Sequence, residues 1–199
     1  MSASSSHEAS SRFIDAIVVG ASAGGVAALS EILTNLPVSF AIPVIVVLHV
    51  PSDRPSHLPD IFRHRVGMRV SEAQDKEPIS SSTLYFAPAG YHLSIENDRS
   101  FSLSGEAPVS YSRPSIDVLM TSAADAYGAN LAGILLTGAN FDGAAGLAII
   151  KEHGGLTIVQ DPDQAEMSTM PAAAIAMQRP DLILPLEDIH ALLAQMKTN

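Results

Sequence analysis

Three side chains in this sequence, Ser22, His49 and Asp142, are of the types that together can activate a nucleophile. A serine hydroxyl is a poor nucleophile until a base removes its proton, and a neutral imidazole needs an anion that fixes its tautomer and stabilises its charged form. The chain order Ser, His, Asp differs from the Ser, Asp, His order of α/β-hydrolases. If the three residues form a triad, they therefore do so on another fold.

The turn that carries Ser22 has the sequence Gly-Ala-Ser-Ala-Gly-Gly over residues 20–25 and admits three interpretations. As G-x-S-x-G it matches the nucleophile elbow, in which small flanking residues permit a strained turn that exposes the serine. As a dinucleotide cradle of the G-x-G-x-x-G type it lacks the second glycine, because Ser22 holds that place. The third interpretation is a structural glycine turn without chemistry.

Strands and helices are predicted to alternate around these residues. The apolar run 14–19 stops at Gly20, and from Gly24 onward apolar residues recur every three or four positions, which predicts a buried strand followed by a helix. Similar patterns predict strands at 43–50, 68–73, 131–137 and 182–184 and helices at 58–66, from Pro114 onward, 144–153 and 189–196, with the segment 156–160 and the alanine-rich segment 171–178 between them. We therefore expect an α/β fold with a doubly wound, mainly parallel, Rossmann-like sheet.

Ser22, His49 and Asp142 each stand at the carboxyl end of a predicted strand, where ligands collect in open α/β sheets. Between residues 83 and 103 the pattern changes. Segments 83–87, 91–95 and 100–103 alternate as half-buried antiparallel strands do. They predict a small antiparallel hairpin insertion.

Length and composition favour one globular domain, predicted over residues 13–199, behind a serine-rich tail at 1–12 that we expect to be disordered. The chain has no apolar run of the roughly 18 residues that a membrane span requires, and its polar start lacks the apolar core of a signal peptide. We expect a cytoplasmic protein that is not inserted in a membrane.

Charge and cysteine content exclude further classes of function. The net charge of −10 argues against nucleic acid as a partner, because phosphate binding draws on clustered Lys and Arg. The chain has no cysteine, which excludes disulfides, thiol catalysis and thiolate metal sites. His49, Asp53 and His57 are metal-ligand types, but Pro51 and Pro55 break the helix that would align them. We expect neither a metal nor a cofactor.

Five ordered blocks carry a resemblance to a known family. They are VVGASAGGVAAL at 18–29, LHVP at 48–51, LYFAPAGYHL at 84–93, SRPSIDVL at 112–119 and ILLTGANFDGAAGL at 134–147. In this order and spacing the chain resembles, from about Ile14 to its last helix, the catalytic domain of the chemotaxis protein-glutamate methylesterases, the CheB family. The resemblance implies a hydrolase that cleaves glutamyl γ-methyl esters on methylated chemoreceptor helices, often with deamidation of certain receptor glutamines. It assigns Ser22 as the nucleophile, His49 as the base and Asp142 as the orienting carboxylate.

The chain departs from the usual pattern of that family at four positions. Ala23 and Leu48 replace Thr and Gln, and Ala139 and Asn140 replace Met and Gly. If the backbone N–H groups of Ala23 and Ala139 form the oxyanion hole, the donors survive, because they do not depend on the side chain. Asn tolerates a positive φ better than most residues do. We therefore expect an intact triad in an altered pocket.

Two further residues, Arg113 and Met170, are weaker candidates for substrate binding. Arg113 precedes a Pro-Ser helix start and could bind an acidic group of the substrate or form a surface salt bridge. Met170, like Met167, lies near Pro171 and could line the ester pocket or pack in the core. Asp142 also has a structural alternative, as the N-cap of the helix that it precedes.

The sequence also bears on how the activity would be controlled and on two alternative functions. Members of the family commonly carry an N-terminal receiver domain that covers the active site, and we expect none here, so that activity would be constitutive or controlled in trans. The altered loop TGANFDG at 137–143 suggests a non-catalytic chemosensory adaptor of the same fold as the main alternative. A Rossmann-type nucleotide binder is the third hypothesis.

Overall fold

The computed structural model describes residues 12–49 and 57–197. The strands in these ranges are β1 Ala16–Ala21, β2 Val44–Leu48, β3 Arg69–Glu72, β4 Thr83–Phe86, β5 His92–Ile95, β6 Phe101–Ser104, β7 Leu131–Leu135, β8 Leu156–Gln160 and β9 Leu182–Leu184. The α-helices are α1 Gly25–Leu33, α2 Leu58–Arg63, α3 Ile116–Tyr127, α4 Ala144–Glu152, α5 Thr169–Met177 and α6 Leu186–Gln195. Short 3₁₀ turns lie at Gly128–Asn130 and Pro162–Gln164.

Seven of the strands form one parallel sheet in the order β3-β4-β2-β1-β7-β8-β9. The chain winds outward from β1 through β2 on one side and, after returning to β7, outward through β8 and β9 on the other. The predicted doubly wound fold is confirmed. The winding reverses between β1 and β7, and such a reversal opens a crevice at the carboxyl ends of the two strands.

Both faces of the sheet are covered, which explains why the central strands are continuous apolar runs. Every residue of β1, β2, β7 and β8 is buried. Ile17 and Val19 of β1 belong to the core under α1, α2 and α6, whereas Ala16 and Val18 belong to the core under α3, α4 and α5. Since strand side chains alternate between faces, one apolar run supplies both cores.

The segment 83–87 was predicted to belong to the antiparallel insertion, and this prediction is wrong. β4 is a parallel strand of the main sheet, between β3 and β2, and all four of its residues are buried. Its alternating polar groups mimic a half-exposed strand, but they are hydrogen-bonded internally. The Tyr85 hydroxyl accepts the Ser80 N–H at 3.1 Å, and Thr83 Oγ1 donates to the Ser81 carbonyl at 3.0 Å.

The rest of the insertion is confirmed as a two-stranded antiparallel sheet. β5 and β6 pair from His92 opposite Ser104 to Ile95 opposite Phe101. The hairpin packs against α3, where Ser122 Oγ accepts the Ile95 N–H at 3.0 Å. The hairpin also contacts the start of α3, where His92 Nδ1 accepts the Ser115 N–H at 3.2 Å.

The ends of the elements differ from the predictions by a few residues, and the last helix begins at Leu186 instead of Ile189. Of the predicted tail 1–12, only Arg12 lies within the described residues, and Asp53 also lies outside them. Among the helices that the structure describes, none has the length and apolar content needed to cross a membrane.

Candidate active site

Ser22 and His49 follow neighbouring strands of the sheet in register. Ala21 at the end of β1 pairs with Leu48 at the end of β2, and the His49 N–H donates to the Ala21 carbonyl at 3.1 Å. On the other side of β1, the Ser22 N–H donates to the Thr137 carbonyl at 2.9 Å. The backbone therefore ties the ends of β2, β1 and β7 together around Ser22.

The chain turns sharply after Ser22 and enters α1. The Gly25 N–H donates to the Ser22 carbonyl at 2.8 Å, and Gly24 has a φ of 78°, a left-handed conformation that glycine adopts without strain. Ser22 is half-buried and lies three residues before the first residue of α1. This strand–turn–helix geometry agrees with the elbow interpretation, with the serine near the positive end of the helix dipole.

Gly20 serves close packing between β1 and α3. A Cβ at this position would lie 2.3 Å from Ile116 Cγ2 and 2.8 Å from Leu135 Cδ1, distances that side-chain carbons do not reach. The missing side chain lets the first residue of α3 settle against β1. The glycine before Ser22 thus brings the start of α3 to the site.

His49 and Asp142 are hydrogen-bonded through their side chains. His49 Nε2 lies 2.9 Å from Asp142 Oδ2, and the two side chains are 14% and 0% exposed. Because an ionised carboxylate can only accept, Nε2 carries the proton. Nδ1 is then the nitrogen whose lone pair is free to take a proton, the reverse of the chymotrypsin arrangement, in which Nδ1 faces the aspartate.

Asp142 is also held by the start of α3. Its carboxylate accepts from Ser115 Oγ at 2.8 Å, from the Ile116 N–H at 2.8 Å and from the Asp117 N–H at 3.1 Å. The structural alternative for Asp142 was the N-cap of the helix that it precedes, α4. The structure shows instead that Asp142 caps α3, while Gly143 is the N-cap residue of α4.

These contacts keep Asp142 ionised. Burial by itself would raise the pKa of Asp142, but the hydrogen bonds from His49, Ile116, Asp117 and Ser115 outweigh it and hold the pKa below the usual aspartate value. The positive end of the α3 dipole acts in the same direction. The site therefore contains a buried anion directed at the imidazole.

The backbone N–H groups expected to bind an oxyanion lie on two exposed residues. Neither the Ala23 N–H nor the Ala139 N–H donates a hydrogen bond within the described part of the chain. Thr137 joins the two segments, because its Oγ1 donates to the Ala23 carbonyl at 2.9 Å and it stands two residues before Ala139. The side chains that replace the family's Thr and Met are thus not needed for these donors.

Asn140, which stands where the family has Gly, is accommodated without strain. It is absent from the positive-φ residues of the described ranges, so no left-handed conformation has to be adopted. Its Oδ1 accepts the Asp142 N–H at 3.2 Å. The substitution therefore gives the loop a hydrogen bond that fixes the backbone of Asp142.

The two weaker candidates have structural partners. Arg113 Nη1 donates to the carbonyls of Gly105 and Glu106 at 2.9 and 2.8 Å, which ties the loop after β6 to the residues before α3. Met170 is fully buried, and its Sδ lies 2.7 Å from where a Cβ on Gly138 would be. Met170 therefore supports the loop of Ala139 from below and has no surface to offer a substrate.

Glu166 stands in front of the glycine turn. Its Oε2 lies 2.7 Å from where a Cβ on Gly24 would be, next to the first turn of α1. A dinucleotide phosphate would need this same place, and the carboxylate would repel it. The position of Glu166 disfavours the nucleotide-binding hypothesis.

In the described ranges, no group of three His, Asp or Glu side chains is placed to hold a metal ion.

Ser115 and Asp117 contact Asp142 but were not among the residues predicted for the site. The available signal was the Pro-Ser-x-Asp start of a helix at 114–117, which was interpreted only as a helix start.

Comparisons with known proteins agree with this fold. A family model described as CheB methylesterase matches residues 17–193. The crystal structure of the Thermotoga maritima CheB methylesterase catalytic domain is similar with a TM-score of 0.85 and 29% identity, covering 92% of this chain and 99% of that one.

Curated relatives are similar over most of this chain. A Leptospira interrogans protein, provisionally named protein-glutamate methylesterase/protein-glutamine glutaminase, is 45% identical over 93% of this chain and 96% of its own length. Proteins of the same name from Clostridium acetobutylicum and Carboxydothermus hydrogenoformans are 34% and 38% identical. These two alignments span 90% and 87% of this chain. They span 52% of each relative, so this chain corresponds to about half of their length.

Proposed function

The chain belongs to the CheB methylesterase family, and on that premise we propose that it hydrolyses glutamyl γ-methyl esters of chemoreceptors through Ser22, His49 and Asp142. The observation that carries the proposal is the hydrogen bond of 2.9 Å between His49 Nε2 and Oδ2 of the buried Asp142, with Ser22 following the neighbouring strand in register. In the proposed relay, the Asp142 carboxylate orients His49, and His49 takes the proton of the Ser22 hydroxyl, as acyl transfer requires.

In the proposed first half-reaction, Ser22 Oγ attacks the carbonyl carbon of the γ-methyl ester and His49 Nδ1 takes the hydroxyl proton. The tetrahedral intermediate places its negative oxygen toward the Ala23 and Ala139 N–H groups. His49 then returns the proton to the departing methoxide, so that methanol leaves and a glutamyl ester of Ser22 remains. Asp142 stabilises the imidazolium while the proton is on the ring.

The second half-reaction uses the same groups with water as the nucleophile. His49 Nδ1 removes a proton from water, hydroxide adds to the acyl-enzyme carbonyl, and the proton passes to Ser22 Oγ as the ester bond breaks. The products are a receptor glutamate and the free enzyme. A receptor glutamine would enter by the same route with ammonia as the leaving group, as the names of the relatives indicate for those proteins.

The partner of the proposed reaction is the methylated cytoplasmic helix of a chemoreceptor, and the corresponding location of this protein is the cytoplasm. Ala23, Ala139, Phe141 and Met167 are exposed on the segments that follow β1 and β7 and precede α5, and they offer small and apolar surface. Such a surface suits the uncharged methyl ester better than the carboxylate that hydrolysis produces.

The proposal is tested by incubating the purified protein with receptor membranes that carry methyl esters labelled in the methyl group. We expect labelled methanol from methylated membranes and none from membranes that were never methylated. Ammonia release from receptors with glutamine at the same positions measures the deamidase activity. A folded protein that releases no methanol and is not labelled by a fluorophosphonate would instead support the adaptor alternative.

A further inference from the structure

Two carboxylates exchange the caps of α3 and α4. Asp142 precedes α4 but accepts the N–H groups of Ile116 and Asp117 at the start of α3. Asp117, in the first turn of α3, accepts the N–H groups of Gly143 and Gly146 at the start of α4, at 3.0 and 2.7 Å. We propose that Asp117 is a positioning residue for the triad, acting through this exchange, an inference that rests on the proposed function.

Each helix start depends on the other helix for its cap. The N-cap residue of α3 is Ser115, but its hydroxyl donates to Asp142 and makes no capping bond to its own helix. The N-cap residue of α4 is Gly143, which has no side chain. Because the first N–H groups of a helix have no partner within the helix, the two aspartates satisfy donors that nothing local can satisfy.

The exchange fixes the backbone on the carboxyl side of Asp142. Gly143 follows Asp142 directly, and its N–H is bound by Asp117 Oδ1, while the Asp142 N–H is bound by Asn140 Oδ1. The peptide units on both sides of Asp142 are therefore anchored. Loss of the Asp117 contact frees one of them and lets the carboxylate move relative to His49.

The arrangement also carries an electrostatic cost. Burial and the neighbouring charge of Asp142 raise the pKa of Asp117, against the opposing hydrogen bonds from Gly146 and Gly143. A neutral amide oxygen at this position would accept the same two N–H groups without that cost. Asp117→Asn therefore separates the position of the acceptor from its charge.

The test compares three variants. Asp117→Ala removes the acceptor, Asp117→Asn retains a carbonyl oxygen for the same two N–H groups, and Asp181→Ala is the matched control. Asp181 Oδ2 likewise accepts a backbone N–H and a side-chain donor, both from Thr157, at 2.9 and 2.8 Å. It lies at the amino ends of β8 and β9, whereas Ser22, His49 and Asp142 lie beyond the carboxyl ends of their strands.

We expect Asp117→Ala to lower kcat for methanol release about 100-fold, since a misplacement of about 1 Å has an effect of that size, with KM nearly unchanged. Asp117→Asn should recover most of the activity. Asp181→Ala should lose stability to urea but keep the wild-type kcat. Wild-type kcat in a folded Asp117→Ala protein would overturn the inference.

A second measurement does not depend on turnover. The proton on His49 Nε2, bound to a buried carboxylate, gives a downfield imidazole resonance that is assigned by its loss in His49→Gln. We expect Asp117→Ala to shift or broaden this resonance and Asp117→Asn and Asp181→Ala to leave it in place. An unchanged resonance in Asp117→Ala would overturn the inference. If the wild type hydrolyses no receptor ester, the proposed function fails while this spectrum still decides the role of Asp117.

Discussion

The hydrogen bond from His49 Nε2 to Asp142 determines which imidazole nitrogen can act as the base. Asp142 receives four donors, from the side chains of His49 and Ser115 and from the N–H groups of Ile116 and Asp117. A carboxylate can accept all of them because it has about four lone-pair positions. The ionised form of Asp142 is therefore the only one that satisfies every partner.

Replacement of Asp142 by Asn tests this point at a single residue. The amide keeps the volume of the carboxylate but places an NH₂ group against donors that both carboxylate oxygens now accept. His49 is then no longer held in the tautomer that carries its proton on Nε2, nor in its present orientation. By analogy with the serine protease triad, we expect Asp142→Asn to lower kcat by about 10⁴. KM should change little, and both constants are measured by methanol release. A loss below about tenfold would show that Asp142 does not orient the base.

The residue types of the site could be predicted from the sequence, because strand ends at one edge of a parallel sheet meet at that edge. Ser22, His49 and Asp142 were each placed at such an end. The choice of His49 nitrogen and the contacts of Asp117 with Gly143 and Gly146 could not be predicted. Both depend on contacts between segments far apart in the chain, and local patterns carry no information on side-chain direction across that separation.

Among the elements of the fold, the start of α3 has the largest influence on the site. Its N–H groups bind Asp142, and its first side chain, Ile116, packs where Gly20 has no Cβ. The motif glycine before Ser22 is thus explained by helix packing, with no phosphate involved. This packing joins the turn that carries Ser22 to the helix start that holds Asp142.

Gly20→Ala tests the link between packing and the site. The added Cβ would overlap Ile116 and Leu135, so we expect a destabilisation of about 1–3 kcal/mol from overpacking. Because Ile116 also holds Asp142, kcat should fall as well. The control is Gly67→Ala, since a Cβ there meets nothing within 4 Å. Equal effects of the two substitutions in urea unfolding and in kcat would contradict the packing account.

Asp181, between α5 and β9, provides a prediction for pH. Burial tends to raise the pKa of Asp181, but the hydrogen bonds from Thr157 and the contact with Lys151 overcome it and lower the pKa. When folding lowers the pKa of a carboxyl group, the group stabilises the protein at every pH above its pKa in the unfolded chain, about 3.9. This stabilisation is lost as the pH falls through the pKa of the group in the folded protein. We expect the difference in unfolding free energy between wild type and Asp181→Asn to shrink as pH falls from 6 to below about 3. A difference that is constant with pH would contradict this sign.

β4 was predicted as a half-exposed antiparallel strand because of the polar residues that it contains. Thr83 and Tyr85 are polar types at alternate positions, which is typical of a strand with one solvated face. In the structure both are buried and their hydroxyls are paired within residues 80–85. Pairing of this kind depends on the loop before the strand, so the period of the strand alone could not reveal it.

For the whole molecule, the reversal of winding between β1 and β7 brings together the two halves of the site. The first half of the chain contributes Ser22 and His49, and the second contributes Asp142 and Ala139. The apolar runs predicted this sheet, since strands covered on both faces need little besides apolar residues. The same topology places Ser22, His49 and Asp142 beyond the carboxyl ends of the central strands β1, β2 and β7.

The net charge of −10 is a property of the whole molecule that bears on its partners. The acidic balance of the chain and the carboxylate of Glu166 beside Gly24 both disfavour the binding of a nucleic acid or a dinucleotide phosphate. A serine hydrolase needs no such attraction, because its substrate group is an uncharged ester. The charge and the site thus favour the same class of chemistry.

The proposed role of Ser22 is tested most directly by the rate of methanol release from methylated chemoreceptor membranes by the wild type, by Ser22→Ala and by Ser30→Ala. Ser30 lies in α1, where its Oγ donates to the Val26 carbonyl at 2.8 Å, so its replacement controls for the loss of a serine in the same helix region. We predict that Ser22→Ala lowers the rate by about 10⁴ or more, while Ser30→Ala stays near the wild type. Near-normal methanol release by a folded Ser22→Ala protein would show that Ser22 is not the nucleophile.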